Sequence, residues 1–427
     1  MLTWFIWKEV FSYLEHSQQL ELRCVSREWN ARLEEMIECR YEYCSMDHLK
    51  HIARFVRQGV VTDDTSKAQL NQCPNLISVH VSISHKDNLA EVIQMMAKMP
   101  KLRHLTVFES RSILHATPKA WLSFTNLLSL NLVLLGLGHQ EQLTYLSGIN
   151  CPNIRSLNIH SIKPSHAMHG LLLKLFPRLI SVKLNYETNH FISDLILIPA
   201  ISSLRDATIT VNSEYPRHLL PRPELIPHLT LLTYTATRGP LEFLHAPSQT
   251  WPQITQLTLA TPAYRLGPIC QIFPNCRTLL LRSNETKPRY LNQLHGIQTL
   301  SLYLFPFSIP TTTSRLPSIT CLSITQPFLE WALTCLPNLS FLDLSLGYGP
   351  DAEHAFYASS LPIPSLIHFF SPECRTTAFY HSLIKRSPNL ASIFSDLPKE
   401  QATLLQSQYP HITFHPYIRL IPCLTIQ

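Results

Sequence analysis

The sequence predicts an α/β solenoid, and three observations lead there. An apolar phrase returns every 20 to 27 residues, proline holds a fixed place within it, and charge collapses where the phrase begins. Of residues 1–57, 17 are charged; of the remaining 370, only 47 are. Such a step marks a boundary between an ordinary segment and an unusual one. At 427 residues the chain exceeds one ordinary compact core, unless that core is repetitive. Hydrophobic content of 45% excludes disorder. The net charge of +6 is spread too thinly to signal a nucleic-acid partner. Ten glycines against 32 prolines disfavour glycine-rich ligand loops.

The phrase is Pro-x-Leu-x-x-Leu-x-Leu. It reads CPNLISVHV at 73–81, MPKLRHLTV at 99–107, FPRLISVKL at 176–184 and LPNLSFLDL at 336–344. Its first apolar position falls at Leu76, Leu102, Leu127, Ile154, Leu179, Leu204, Leu229, Ile254, Cys276, Ile297, Ile319, Leu339, Leu366, Leu390 and Ile412. Proline stands two residues earlier in 12 of these 15 units. The period is that of leucine-rich repeats, which predicts a horseshoe of parallel strands over 73–427. In each unit two apolar side chains share one face of a short strand, which buries them only by stacking on its neighbours. Several connectors read as helices. Leu89, Val92, Ile93 and Met96 lie at i, i+3, i+4 and i+7, as do Met168, Leu171, Leu172 and Leu175. Proline is expected to stop each connector before the next strand. The asparagine usual after the strand is mostly missing, occurring only as Asn212 and Asn284. The last three units are degenerate, with Ser371, Ser395 and His415 at apolar positions.

Residues 1–45 are expected to form a small helical module, and residues 46–72 a helical linker or N-terminal cap. Val10, Phe11 and Leu14 make an apolar stripe, Ser17 can cap a helix holding Leu20 and Leu22, and Ser26 one holding Trp29 and Leu33. So short a module has too little core to stand alone; it either caps the repeats or leans on a partner. This segment resembles the F-box family. Val10-Phe-Ser-Tyr-Leu14 is similar to the first-helix phrase, and Leu20, Arg23, Val25-Ser-Arg27, Trp29 and Leu33 follow at matching distances. Leu2 fits the opening leucine, while Thr3 stands where proline is usual and Phe5 where an acid is usual. The resemblance covers about 35 residues, and the repeats after it match the two-part order of F-box/leucine-rich-repeat proteins. It implies a substrate-recognition subunit of an SCF-type (Skp–cullin–F-box) ubiquitin ligase. The F-box would bind a Skp-type adaptor through Leu2, Val10, Phe11, Leu14, Leu20, Val25 and Trp29, and the repeats would hold a protein substrate. Other readings are a repeat scaffold outside the ligase, an extracellular or membrane recognition receptor, and an enzyme in a repeat shell.

The substrate would meet residues that alternate with the buried ones, on the concave side. Of 39 such positions in the first thirteen units, 17 are Ser or Thr and four are charged: Lys183, Asp206, Arg282 and Asp343. Larger groups gather twice. An early set holds His80, His104, Phe108, Asn158, His160, Lys183 and Asn185. A late set holds Arg282, Tyr303, Phe341, Asp343, His368 and Phe370, and is the candidate substrate site, since aromatic and Arg side chains dominate binding hot spots. Ser and Thr also suit exposed strands with no partner at all.

No P-loop, zinc-protease, nucleophile-elbow or dinucleotide motif occurs, so no catalytic residue, cofactor or metal site is assigned. His166 and His169 lack an accompanying Cys or acid at ligand spacing. Eleven scattered cysteines without a C-x-x-C pair suggest buried thiols in the cytoplasm or nucleus. The uncharged stretch 120–140 is long enough for a membrane span, but Leu128, Leu130, Leu132 and Leu134 alternate like a strand. Neither a membrane nor a nucleic-acid partner is expected.

Overall fold

A computed structural model describes residues 39–41, 56–61 and, with breaks in several connectors, 73–416. The adaptor-contact candidates Leu2, Val10, Phe11, Leu14, Leu20, Val25 and Trp29 lie outside the described residues. Two compact units divide the chain, Met1–Leu184 and Asn185–Gln427.

In the first unit, parallel strands follow one another as Cys39–Tyr41 (β1), Val56–Val61 (β2), Ser78–Ser82 (β3), His104–Glu109 (β4), Ser129–Leu134 (β5) and Ser156–Ile162 (β6). Each pairs in parallel with the next. Ser181–Glu187 (β7) contains the boundary, and its entrance hangs from β6 through Ile180 N–H and Ser181 N–H, both donating to Arg155 C=O. Two of these strands precede the first unit read from the sequence. The expectations of a helical module over 1–45 and a helical linker over 46–72 are therefore corrected at 39–41 and 56–61, where Arg40 and Tyr41 pair with Gln58 and Gly59, and Gln58 to Val61 pair with Ser78 to Val81. Val56-Arg-Gln-Gly-Val-Val61 carries no Pro-x-Leu phrase, but its valines suit a strand and the open edge of β3 supplies a partner.

The second unit runs through Asp206–Asn212 (β8), Leu231–Ala236 (β9), Gln256–Ala260 (β10), Thr278–Ser283 (β11) and Thr299–Leu304 (β12). It continues with Cys321–Ile324 (β13), Phe341–Asp343 (β14), His368–Ser371 (β15), Ser392–Ser395 (β16) and Thr413–His415 (β17). These too pair in parallel, each with its successor. Each unit is thus a solenoid of leucine-rich-repeat type. All fifteen first apolar positions are buried, none more than 3% exposed. Stacking achieves what one strand cannot, because each removes its neighbour's apolar face from water.

Proline has a more definite role than ending connectors. In twelve units the first apolar residue donates its N–H to the carbonyl three residues earlier, as in Ile154→Cys151, Leu339→Leu336 and Leu390→Ser387. Where proline is present, it occupies the second position of this four-residue turn, which its fixed φ suits. The residue before proline opens the turn and points inward: Cys151, Phe176, Trp251, Phe273, Leu316 and Leu336 are all buried there.

Connectors differ between the units. His139–Ser147 (α1) and His166–Leu175 (α2) are helices of the first. The spacing of Met168, Leu171, Leu172 and Leu175 was a sound guide: α2 buries Met168 and Leu172, and Ser165 caps it by accepting from Met168 N–H at 3.0 Å. Of the Leu89–Met96 helix, only Met96 is among the described residues, and it is buried. Early connectors of the second unit are instead a second parallel sheet, Leu195–Ile196, Arg217–Leu219, Pro240–Leu244 and Ala263–Tyr264. Later ones return to helix as Ile269–Ile272 (α3), Leu329–Cys335 (α4), Thr377–Arg386 (α5) and Lys399–Gln408 (α6). The stretch 120–140 holds β5, and no helix among the described residues is long and apolar enough to cross a membrane.

Candidate functional site

On every strand, residues that alternate with the buried ones form rows across the ladder face, fixed by the parallel register. In the second unit one row runs Leu280, Ser301, Ser323, Asp343, Phe370, Phe394 and His415. A second runs Thr278, Thr299, Cys321, Phe341, His368, Ser392 and Thr413. Four of the six substrate-site candidates meet here: Phe341 and Asp343 on β14, His368 and Phe370 on β15. The Phe341 and Phe370 rings lie 4.5 Å apart, and Phe341 is 6.4 Å from the His368 ring. Arg282 and Tyr303 are instead register partners on β11 and β12. Two ladder steps separate β12 from β14, about 10 Å, so this pair is a separate place on the face. Arg282 is exposed.

The candidates differ in what they offer a partner. Phe341, Asp343 and Phe370 are 3–5% exposed, whereas His368 is exposed. Asp343 accepts a hydrogen bond from Ser323 Oγ at 3.2 Å, inside the face. His368 shares a 2.6 Å hydrogen bond with Ser392 Oγ, and partial burial lowers its pKa. The sequence reading missed the outer half of the row. Phe394 stacks on Phe370 at 4.1 Å with planes 4° apart, and His415 stacks on Phe394 at 4.6 Å and 16°. Phe394 is half-buried and His415 exposed, so the row opens to solvent at β17.

The last three units explain why these residues escaped notice. Ser371 and Ser395 do occupy inward positions and are fully covered. Their hydroxyls are satisfied there: Arg375 Nε donates to Ser371 Oγ at 3.4 Å, and Tyr380 OH and Ser395 Oγ share a 2.6 Å bond. A covered hydroxyl is tolerated on that condition. His415 is corrected: it is not at an inward position. Thr413 pairs with Ser392 and Phe414 with Ile393, so the register slips by one residue and carries His415 opposite Phe394. A one-residue slip exchanges the faces of a strand. The cause is at the entrance, where Ala391 C=O receives Thr413 N–H and Phe414 N–H is paired instead with Gln406 Oε1 of α6 at 3.4 Å.

On the first unit, the early set is present in parts. His80 and Phe108 rings are 4.8 Å apart, and Asn158 Nδ2 lies 3.1 Å from His160 Nε2. Partial burial and the nearby Lys183 lower the His160 pKa. No group of three or more potential ligands that could hold a metal occurs among the described residues. His169 is buried beside His166, and burial first, then that neighbour, brings its pKa down to about 4. The thiols are those of a repeat core. Burial raises Cys73 and Cys151 to about 11 and Cys276 to about 12, which suppresses the thiolate a nucleophile needs.

Between successive repeats, an asparagine ladder replaces the one missing after the strands. Asn126, Asn153, Asn275, Asn338 and Asn389, each just before a first apolar position, donate to a carbonyl of the preceding repeat. The acceptors are Pro100, Thr125, Pro252, Pro317 and Pro364, at 2.7–3.3 Å. The recurring Pro-Asn dipeptide was its signal.

No protein-family model and no curated protein sequence matches the chain. Among solved structures that do match, the crystal structure of the TLR13–ssRNA13 complex is 14% identical, with a TM-score of 0.36. That match covers 92% of this chain and 60% of the other, so the chain spans less than two thirds of its neighbour's length. The assignment to leucine-rich-repeat type rests on the chain's own register and spacing.

Proposed function

We propose that the chain is a non-catalytic recognition subunit: its repeats bind a protein, and its first 45 residues join it to a Skp-type adaptor of a cullin–RING ubiquitin ligase. The observation behind the binding half is the row of stacked rings on β14–β17, held by register and open at one end. The ligase half is supported by the F-box-like residues Val10, Phe11, Leu14, Leu20, Val25 and Trp29 ahead of a repeat array. The mechanism is proximity. Holding a substrate near a ubiquitin-loaded enzyme raises its effective concentration without chemistry from this chain.

Affinity capture of the full chain tests both halves. A Skp-type adaptor should co-purify and be lost with Trp29→Ala. Absence of the adaptor with the intact chain would leave only a repeat scaffold acting outside the ligase.

A further inference from the structure

The aromatic row ends in an unusual way. Phe370 and His415 cover the two faces of the Phe394 ring. His415 gives one face to Phe394 and is itself exposed, on the last strand described. A flat group laid on the His415 ring would therefore lengthen an existing stack by one member, with the rest of the stack already ordered. Little entropy is lost on such a surface when the partner arrives.

Charge chooses among flat groups. On β14–β17 the face carries Phe341, Asp343, His368, Phe370, Ser392, Phe394, Thr413 and His415, and the alternation of β16 adds exposed Asp396 beyond Phe394. Among these residues there is no Lys or Arg. Exposed Asp396 and the open face of the His415 ring thus lie on one side of the ladder, with covered Asp343 further along it. Such rings attract cations, and guanidinium does so as a plane that can stack and pair with a carboxylate at once. We propose that the β14–β17 face binds an arginine side chain of a partner protein, its guanidinium stacked on His415 and paired with Asp396. This rests on the reading of the repeats as the protein-binding part.

Acid should oppose the contact. The titratable or charged groups on this face are His368, His415, Asp343 and Asp396, and from the packed elements come Arg375, buried beside Ser371, and His411, near Tyr409. A neutral His368 leaves a cation unopposed on this face, and a protonated one repels it. The lowered pKa of His368 keeps it neutral at pH 7.

The test is selection of a random twelve-residue peptide library on the full chain, with His415→Ala as the counter-target. Arginine should be enriched at one position. Replacing it by citrulline, a neutral group of the same shape, should weaken binding about threefold to tenfold. Asp396→Asn should do likewise, while His415→Trp, which keeps a ring, should retain binding that His415→Ala loses. Peptides without arginine, peptides that bind His415→Ala equally well, or no enrichment at all would each overturn the proposal. Circular dichroism of each variant establishes folding. Adaptor capture, run alongside, separates this outcome from the ligase reading: His415→Ala should leave the adaptor bound, and loss of the adaptor from the wild-type chain bears on that reading alone.

Discussion

Gln142 offers the sharpest test of how the repeats of the first unit are locked together. It lies on α1, is completely buried, and uses both ends of its amide on the next repeat. Nε2 donates to Ser161 C=O at 2.7 Å, and Oε1 accepts from Lys163 N–H at 2.7 Å. The clasp holds the exit of β6, where Ser161 sits at φ 61°, in the left-handed region. Gln142→Leu keeps the volume and removes both bonds. Each backbone group left without a partner costs about 1–3 kcal/mol when covered. Ser161 and Lys163 are half-buried, so water recovers part of this, and a loss of about 2–4 kcal/mol is expected. Ser161→Gly acts oppositely: it relieves a left-handed serine and should stabilise by about 0.5–1 kcal/mol in the intact clasp. The assay is urea unfolding with hydrogen exchange resolved over 156–163. Gln142→Leu should speed exchange at β6 first, because repeat arrays open locally. If Gln142→Leu left both the urea midpoint and β6 exchange unchanged, the clasp would not hold the exit.

Three further outcomes are expected. Asn338→Ala removes the donor to Pro317 C=O and should cost about 0.5–1 kcal/mol, read as faster exchange at Leu339 and Phe341; equal exchange would argue against the relocated ladder. Ser395→Ala should cost about 1–2 kcal/mol because it strips a partner from the buried Tyr380 hydroxyl, and in Tyr380→Phe the same change should cost less; additivity of the two in a double-mutant cycle would refute the coupling. His169 has a folded pKa of about 4 against 6.5 in the unfolded chain, so the unfolded state binds more protons between those values. Stability is therefore full above pH 6.5 and falls as pH drops toward about 4, by up to about 3 kcal/mol, and urea unfolding of His169→Leu should show a smaller acid loss than wild type.

The fold was legible because one residue per unit controls it. Leu76, Leu339 and the others at the first apolar position mark a strand entrance two residues later, and period alone locates them. What period cannot show is a unit that lacks the phrase. Val56–Val61 joins the ladder because β3 offers an edge, a fact about a neighbour rather than about its own residues. Connectors were partly legible for the same reason. Helical spacing at Met168–Leu175 declares itself, whereas short strands such as Arg217–Leu219 exist by pairing with Leu195–Ile196 and Pro240–Leu244 in the repeats on either side. The asparagine ladder was visible in the letters, as Pro-Asn at 152–153, 274–275, 337–338 and 388–389, but it lies before the strand rather than after it.

The site was legible by residue type and misjudged by exposure, and the reason is geometric. A row on a parallel ladder gives each interior member two neighbours about 4.8 Å away, whereas the member at the end has one. Phe341 and Phe370 look like anchors in the sequence, yet both are nearly covered within the face. His415 looked like a defect in an apolar position, and becomes the open end of the row only because Phe414 N–H turns to Gln406 and the register slips by one. Restoring that register should therefore matter more than changing any ring. Gln406→Leu removes the acceptor that holds Phe414 N–H, which should return the ordinary register, with Phe414 opposite Ser392 and His415 moved off Phe394 to Ile393. Loss of the arginine-peptide contact in that variant, with β15 and β16 still protected from exchange, would place recognition in the slipped strand; unchanged binding would place it in the rings beneath.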